Sequence, residues 1–315
     1  MKTPNATADQ PRKMPTPEEL EAMMVVPAVL VTSGVFVLQL LIYGLPIVAI
    51  ALPLLYSPAL GFTVVWLLCA PLLYAFLFAT IAGVLSIPFQ AGIVKGLFPR
   101  DKRFPVFAMR KLYNMCWQSL YYFKPIYTII LNVPFFKAIT FRLFGYKGSL
   151  NINLFPDTWI RDLPLLRIEE GVYIANRATL GTNVGLTNGF TIVGNITLKK
   201  NSLIGHLTKV GMGVTLGERS EFGIGCTIGL HAKFGNDVQI GGACGISHGA
   251  KIGNNTQIGV RSFVGTGAII GDNLNIPSNT QIPDGAVVNT MEDVMKYVQL
   301  SPATPVAKVH HPTME

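Results

Sequence analysis

Charged residues are scarce in this chain, and one long stretch has none at all. Only 13% of the 315 residues are charged, and positions 22–94 contain no Asp, Glu, Lys or Arg. A bilayer core needs about 20 apolar residues per helical span, so this stretch predicts two spans. We place them near Met24–Leu54 and Ala59–Ile87, joined around Tyr56-Ser57-Pro58. The stretch is too long and begins too late for a cleaved signal peptide, and a buried soluble hairpin is the disfavoured alternative.

The motifs of several enzyme classes are also absent. The sequence has no P-loop, dinucleotide-binding fingerprint, CxxC pair or Ser-His-Asp set. It has four cysteines, of which Cys226 and Cys244 are predicted to be small core residues rather than a disulfide. The net charge of +8 suits an anionic membrane surface and an anionic ligand, and it gives no specific case for nucleic acid.

Basic residues flank the charge-free stretch and predict its orientation. Those after the second span are Lys95, Arg100, Lys102, Arg103, Arg110 and Lys111, and those before the first are Lys2, Arg12 and Lys13. Because cytoplasmic loops carry the excess of Lys and Arg, both ends of the hairpin are expected in the cytoplasm. We therefore expect a multi-pass protein of the inner (cytoplasmic) membrane, with both termini and the C-terminal domain on the cytoplasmic side.

The C-terminal half repeats an apolar residue with a period of six. The series runs Ile168, Ile174, Leu180, Leu186, Ile192, Leu198, Ile204, Val210, Leu216, Phe222, Ile228, Phe234, Ile240, Ile246, Ile252, Ile258, Val264, Ile270, Ile276, Ile282, Val288. A period of six fits neither an amphipathic helix nor a two-faced strand, and it indicates a solenoid of hexapeptide repeats.

Most of these hexads share one composition. Gly follows the apolar residue directly in twelve of them, and a small or β-branched residue such as Ala178, Val214 or Ala250 often lies four positions after it. Gly and Asn between these two inward-facing residues tolerate the unusual backbone angles of a tight corner. Parallel strands stacked coil on coil would then satisfy the main-chain hydrogen bonds.

This [LIV]-G-x-x-[small]-x pattern resembles the left-handed parallel β-helix family of hexapeptide acyltransferases. The resemblance implies three hexads per 18-residue coil, a left-handed triangular prism, and a homotrimer with sites at the subunit interfaces. It also implies acetyl-CoA, another acyl-CoA or an acyl-carrier protein as donor. About six and two-thirds coils fit the series. No insertion interrupts it, so we expect no loop that shapes an acceptor site.

The region before the solenoid, residues 96–150, alternates aromatic and basic side chains. Amphipathic helices in the headgroup layer and a helical collar packed on the solenoid both fit this composition. Three motifs, Asn132-Val-Pro-Phe-Phe, Phe141-Arg-Leu-Phe-Gly and Leu165-Leu-Arg-Ile-Glu-Glu-Gly, make the chain after Leu97 similar to the membrane-embedded C-terminal module of polylysine-synthetase-like nonribosomal peptide synthetases. That similarity leaves the substrate open.

The expected fold class is mainly β, a left-handed parallel β-helix preceded by a two-span transmembrane helical hairpin and interfacial helices. The expected domains are a disordered tail (1–22), the transmembrane hairpin (23–95), juxtamembrane amphipathic helices (96–160), a left-handed β-helix acyltransferase domain (161–289), and a capping helix with a tail (290–315).

The three histidines of the solenoid are candidate general bases. Acyl transfer from a thioester needs a group that takes the proton of the attacking hydroxyl or amine, and His is the usual choice near neutral pH. His248 lies in a segment matching the pattern around the catalytic His of lipid A acyltransferases and sugar N-acetyltransferases of this fold, except at Gly249. His206 fits the same pattern, which is weak when it stands alone.

Counting in coils of 18 separates these candidates. His231 lies 17 positions before His248, so the two should share one corner, whereas His206 lies 42 positions before His248 and should be on another face. Lys233 and Lys251 are 18 apart. They should stack about 4.8 Å apart, and two ammonium groups at that spacing need a compensating anion.

We therefore predict that His248 is the base and that His231 supports it, with His206 the less favoured candidate. Lys233, Lys251 and Arg261 would bind the anionic donor. The alternative is that all of these are solvated corner residues. The expected function is the transfer of an acyl group, by expectation acetyl, from a thioester to a hydroxyl or amine of a membrane-linked or small acceptor. Membrane lipid and an acyl- or peptidyl-carrier protein are the expected partners.

Two other functions fit the same fold. A non-catalytic trimeric membrane scaffold would use the solenoid only for assembly. A metalloprotein resembling the γ-class carbonic anhydrases would bind zinc through three histidines, and His248-Gly249 echoes their motif. Their closely spaced pair of histidines is missing, and a metal needs several converging ligands, so we expect no metal.

Overall fold

The computed structural model describes residues 21–56 and 59–298, which form two compact units. Within this range the first unit contains the chain up to Ile130, Ile139–Gly145 and Val184–Val193. The second contains Leu131–Ala138, Tyr146–Asn183 and the chain from Gly194 onward. The predicted tails and the predicted turn at Ser57-Pro58 lie wholly or partly outside the described residues. The segment expected to be one juxtamembrane domain, 96–160, is divided between the two units.

The helices, in chain order, are α1 (Ala28–Tyr56), α2 (Leu60–Ser86), a 3-10 helix (Ile87–Gly92), α3 (Pro105–Tyr122), α4 (Lys124–Asn132), α5 (Pro134–Leu143), a second 3-10 helix (Leu163–Leu165) and α6 (Met291–Met295). Two helical stretches are long and apolar enough to cross a membrane, Ala28–Tyr56 with a mean hydropathy of 2.5 and Leu60–Gly92 with 2.3. Their ends lie within five residues of the predicted spans, so the two predicted apolar helices are confirmed. The short α6 lies in the segment predicted to cap the solenoid and begins with a capping box at Thr290.

The helix α3 packs against the apolar pair. The Val26 N–H donates to the Arg103 carbonyl at 3.0 Å just before α3 begins. Where α3 ends, the Phe123 ring lies 6.5 Å from the ring of Tyr43, near the middle of α1. Thus α3 runs beside the first half of α1. This packing of α3 beside the apolar helices was not predicted from the sequence.

Aromatic side chains form the core between α3 and the helices that follow it. Tyr113 donates to the Phe144 carbonyl at 2.9 Å, and the Trp117 ring lies 5.1 Å from the Phe144 ring and 5.9 Å from the Tyr127 ring. All four side chains are fully buried. The helices α4 and α5 meet at 111°, and the pair is apolar enough to be a broken span or a re-entrant loop.

The strands are short. They are β1 (Gly96–Pro99), β2 (Asn153–Leu154), β3 (Leu166–Ile168), β4 (Tyr173–Ile174), β5 (Thr179–Leu180), β6 (Asn183–Gly185), β7 (Phe190–Val193), β8 (Ile196–Leu198), β9 (Leu203–Ile204), β10 (Lys209–Val210), β11 (Thr215–Leu216), β12 (Glu221–Phe222), β13 (Thr227–Ile228), β14 (Lys233–Phe234), β15 (Gln239–Ile240), β16 (Gly245–Ile246), β17 (Lys251–Ile252), β18 (Gln257–Ile258), β19 (Phe263–Val264), β20 (Ile269–Ile270), β21 (Asn275–Ile276), β22 (Gln281–Ile282) and β23 (Val287–Val288).

Three parallel sheets form the walls of a β-solenoid in the second unit. Sheet I contains β2, β4, β9, β12, β15, β18 and β21; sheet II contains β5, β10, β13, β16, β19 and β22; sheet III contains β3, β8, β11, β14, β17, β20 and β23. Neighbouring strands from β8 onward pair residues 18 apart, as in Lys209↔Thr227 and Lys233↔Lys251. The apolar residue of each of these hexads is buried. The predicted parallel β-solenoid is confirmed.

The expectation of an uninterrupted solenoid is wrong. Ile168 pairs with Leu198 and Leu180 pairs with Val210, a separation of 30 residues instead of 18. The excess of twelve residues lies between Thr182 and Asn195, where β6 and β7 leave the prism and form a small sheet with β1 in the first unit. Leu186 and Ile192 are accordingly only half-buried, although they keep the six-residue phase.

Each turn has two positions with a special requirement: one needs space at its Cβ, and the other needs a left-handed backbone conformation. The Gly that follows the apolar residue is needed for space: a Cβ on Gly223 would lie 2.7 Å from the main-chain N of Gly242 on the next coil. The left-handed backbone lies two residues later in the hexad, for example at His231 (φ 59°) and Asn255 (φ 51°). Asn tolerates that conformation better than most residues, which explains its frequency there.

We predict that Gly223→Ala destabilises the solenoid by about 2 kcal/mol, because the new methyl group meets main-chain atoms that cannot move aside. Gly267→Asn is the matched control. Gly267 has a φ of 68° and open space at its Cβ, and Asn occupies the equivalent position elsewhere, so we expect a loss below about 1 kcal/mol. Thermal unfolding of the purified full chain measures both, and equal losses would contradict the packing described.

Candidate functional site

The turn from sheet II to sheet III, here called the II–III corner, brings two of the three histidines together. His231 lies between β13 and β14, and His248 lies between β16 and β17 on the next coil. Both side chains are exposed. His206 lies between β9 and β10, at the turn from sheet I to sheet II, the I–II corner. This placement agrees with the separation predicted from the 18-residue coil.

The ring of His248 accepts a hydrogen bond of a kind that recurs along the solenoid. The Leu230 N–H, one coil earlier, donates to His248 Nδ1 at 2.8 Å. On other coils, the residue at the same hexad position accepts a hydrogen bond from the main-chain N–H 18 residues earlier. The acceptors are Asn236 Oδ1 (3.0 Å), Asn254 Oδ1 (2.9 Å), Asp272 Oδ1 (2.5 Å) and Asp284 Oδ1 (2.6 Å). His248 thus occupies an acceptor position of the coil. Its Nδ1 is unprotonated, so in the neutral ring Nε2 carries the proton and acts as a donor.

The ring of His231 has a different environment. It lies over Gly213 of the preceding coil, where a Cβ would come within 2.7 Å of His231 Cε1. Within residues 21–56 and 59–298, neither ring nitrogen of His231 has a hydrogen-bond partner. Its lone pair is therefore available to a substrate. This difference between the two rings was not predicted from the sequence, because of the two histidines at this corner only His248 fits the pattern around the catalytic His of the resembled acyltransferases.

Main-chain amides at the same corner differ in whether they have a hydrogen-bond acceptor. The Leu230 N–H donates to His248 Nδ1, and the Thr266 N–H donates to Asp284 Oδ1 at 2.6 Å. Among the described residues, the amide of His248 itself has no acceptor. A free N–H beside a candidate base can stabilise the negative charge that develops on a carbonyl oxygen under attack.

The three residues predicted to bind the donor, Lys233, Lys251 and Arg261, fall into two groups. Lys233 and Lys251 are directly paired on neighbouring strands of sheet III, as predicted, and both are exposed. Arg261 lies between β18 and β19, at the I–II corner, so the structure does not bring it to the lysines. Arg219 is held in a bidentate pair with Asp237, with two bonds of 2.7 Å. Those hydrogen bonds hold the pKa of Asp237 below its usual value.

The two cysteines of the solenoid are core residues. Both are buried and free, and Cys226 and Cys244 donate from Sγ to the Gly241 and Gly259 carbonyls, each at 3.1 Å. Thr208 occupies the equivalent position one coil earlier and uses its hydroxyl in the same way. Hydrogen bonding to Cys244 and burial raise the pKa of the Cys226 thiol, which suits a structural residue.

Within the part of the chain that the structure describes, no three His, Cys, Asp or Glu side chains come together as a metal site. The arrangement that the carbonic anhydrase alternative needs is therefore not found in one copy of the described chain.

No protein-family model matches this chain, and no curated protein matches it. Several solved structures are similar to it. They include a mutant of perosamine N-acetyltransferase from Caulobacter crescentus in complex with CoA and GDP-perosamine, at 18% identity over 38% of this chain and 50% of that chain, with a TM-score of 0.32. The acetyltransferase domain of PglB from Neisseria gonorrhoeae is 27% identical over 30% of this chain and 45% of that domain, with a TM-score of 0.29.

A third similar structure is the UDP-N-acetylglucosamine O-acyltransferase LpxA from Moraxella catarrhalis, at 19% identity over 43% of this chain and 56% of that chain, with a TM-score of 0.31. The chain thus spans about half the length of each of these proteins. All three are acetyl- or acyltransferases by name. At these TM-scores, the fold assignment rests on the strand pairing of the chain itself.

We predict that His248→Ala lowers the free energy of unfolding by about 1 kcal/mol, because the Leu230 N–H loses its acceptor. His248→Asn should retain the stability of the parent, since Asn236 and Asn254 accept the equivalent bond. Chemical denaturation of the two variants measures the difference. If Asn destabilises as much as Ala, the acceptor role of His248 is wrong.

Proposed function

We propose that this protein is a membrane-anchored acyltransferase whose reaction takes place at the II–III corner. The observation that carries the proposal is the placement of His231 and His248 on successive coils, with Lys233 and Lys251 beside them on sheet III. A base, a hydrogen-bond donor and a pair of cations within two coils suit transfer from an anionic acyl thioester. The resemblance to hexapeptide acyltransferases supports the same chemistry.

In the proposed reaction, a hydroxyl or amine of the acceptor attacks the thioester carbonyl. His231 takes the proton of the attacking group as the new bond forms, and the His248 N–H groups of ring and main chain stabilise the oxyanion. The tetrahedral intermediate then collapses, the C–S bond breaks, and the thiolate takes the proton from His231. His248 is the base predicted from the sequence, but its bond from the Leu230 N–H favours His231 for that role.

The charge of the site indicates the class of donor, and the apolar helices indicate the class of acceptor and the membrane location. Lys233 and Lys251 suit a CoA thioester, with an acyl- or peptidyl-carrier protein as the alternative donor. The apolar helices α1 and α2 favour a lipidic or membrane-linked acceptor. By the positive-inside rule, the solenoid faces the cytoplasm from the inner membrane. The family resemblance favours a homotrimer.

Thioester turnover by the detergent-solubilised full chain tests the assignment, with release of free thiol from acyl-CoA as the readout. We expect His231→Ala to lower the rate at least about 100-fold, the usual contribution of a general base. His248→Asn, which keeps the coil bond, should lower kcat by a smaller factor. His206→Ala, at the other corner, is the control and should be unchanged. Full turnover after all three histidines are replaced would contradict a histidine base. Full biological function of a triple variant that has lost turnover would favour a non-catalytic scaffold.

The two lysines generate a second prediction. Lys233→Gln and Lys251→Gln together should raise KM for acyl-CoA about tenfold at low salt, because they remove two positive charges facing the donor phosphates. Lys209→Gln is the matched control, since Lys209 is an exposed lysine at the same hexad position on sheet II. Steady-state kinetics at two ionic strengths measures the effect. An equal change in KM for the Lys209 variant would contradict a specific donor surface.

A further inference from the structure

One outward-facing row crosses the whole of sheet III. Strand pairing places its members side by side in the order Arg167, Thr197, Thr215, Lys233, Lys251, Ile269 and Val287. Seven strands at about 4.8 Å per step make the row about 29 Å long. Its chemistry changes once along its length, from cationic and hydroxyl-bearing side chains to aliphatic ones.

The polar part of the row occupies five strands and carries three cations. Equivalent rows on the other walls differ from it. The row on sheet I is Asn153, Tyr173, Leu203, Glu221, Gln239, Gln257 and Asn275, and the row on sheet II is Thr179, Lys209, Thr227, Gly245, Phe263 and Gln281. Sheet III is therefore the wall best suited to an extended anion.

The apolar part of the row continues onto the capping helix. Ile269 is 40% exposed and Val287 is 55% exposed. The helix α6 packs near β21 of sheet I and β23 of sheet III, and its Met291 and Met295 are 41% and 58% exposed. Ile269 and Val287 thus leave apolar surface in water at the end of sheet III that this helix caps, and exposed apolar clusters mark binding sites.

The candidate catalytic residues lie where the two parts of the row meet. His231 precedes Lys233 by two residues, and His248 precedes Lys251 by three, while Ile269 is the next residue of the row after Lys251. A molecule laid along sheet III with its reactive carbonyl at these histidines would have its anionic groups on one side and an apolar chain on the other. An acyl thioester of CoA has that order of parts.

We propose that sheet III binds the donor lengthwise and that its acyl group is a medium-length or longer hydrocarbon chain resting on Ile269, Val287, Met291 and Met295. This rests on the proposed function for the position of the thioester. An acetyl group, expected from the sequence, would leave the apolar end of the row uncovered. A longer chain removes both its own methylenes and these side chains from water, which stabilises the complex.

Binding of non-cleavable donors tests the inference without requiring turnover. The probes are ketone analogues of acetyl-, butyryl- and octanoyl-CoA in which a methylene separates the sulfur from the carbonyl. For the full chain in detergent, we expect Kd to fall about twofold for each added methylene, less than full burial would give. The double variant Ile269→Thr/Val287→Thr should lose most of this dependence and bind the acetyl analogue as the parent does.

Phe263→Thr is the matched control, because Phe263 is 40% exposed at the same hexad position on sheet II. It should keep the full chain-length dependence. A Kd independent of chain length in the parent, or a dependence that survives in the double variant, would overturn the inference. A changed oligomeric state of the double variant would also overturn it, because the apolar side chains would then form an interface between copies of the chain. Chain-length-dependent binding without any turnover would instead reject the proposed function and leave the binding surface in place.

Discussion

The structure depends on how each turn of the solenoid satisfies its main-chain amides. Within a turn, most N–H groups donate to a carbonyl of an adjacent coil. At five described positions, the amide of the second residue after the buried aliphatic instead donates to a side chain of the next coil, which is Asn or Asp in four cases. In the fifth case the acceptor is His248 at the II–III corner, and this residue couples the hydrogen bonding of the fold to the chemistry of the site.

That coupling explains why two neighbouring histidines are not equivalent. His248 is oriented by a bond from the Leu230 N–H, of a kind that recurs along the solenoid, so the main chain of the neighbouring coil fixes its ring. His231 occupies the left-handed position of its turn, and its ring rests on Gly213. One ring is thereby a fixed donor and the other an available acceptor, a division of roles that suits proton transfer beside a developing oxyanion.

The period of six predicted the solenoid, and charge predicted the two apolar helices, because both are properties of many residues at once. The twelve extra residues between Thr182 and Asn195 could not be detected from the period, because they equal two hexads and keep the six-residue phase. The missing Gly after Leu186 and Ile192 is no signal of them, since Ile174, Leu198 and Ile246 lack that Gly and stay in the solenoid. The packing of α3 beside α1 and the tautomer of His248 could not be predicted, because both depend on partners distant in sequence.

An experimental structure of the full chain with a non-cleavable acyl-CoA analogue bound tests the proposed site most directly. We expect the analogue to lie along sheet III, with its carbonyl oxygen within hydrogen-bond reach of the His248 N–H groups and its carbonyl carbon beside His231. Its phosphates should lie toward Arg167. An analogue bound at the I–II corner beside His206, or found away from sheet III altogether, would contradict the account.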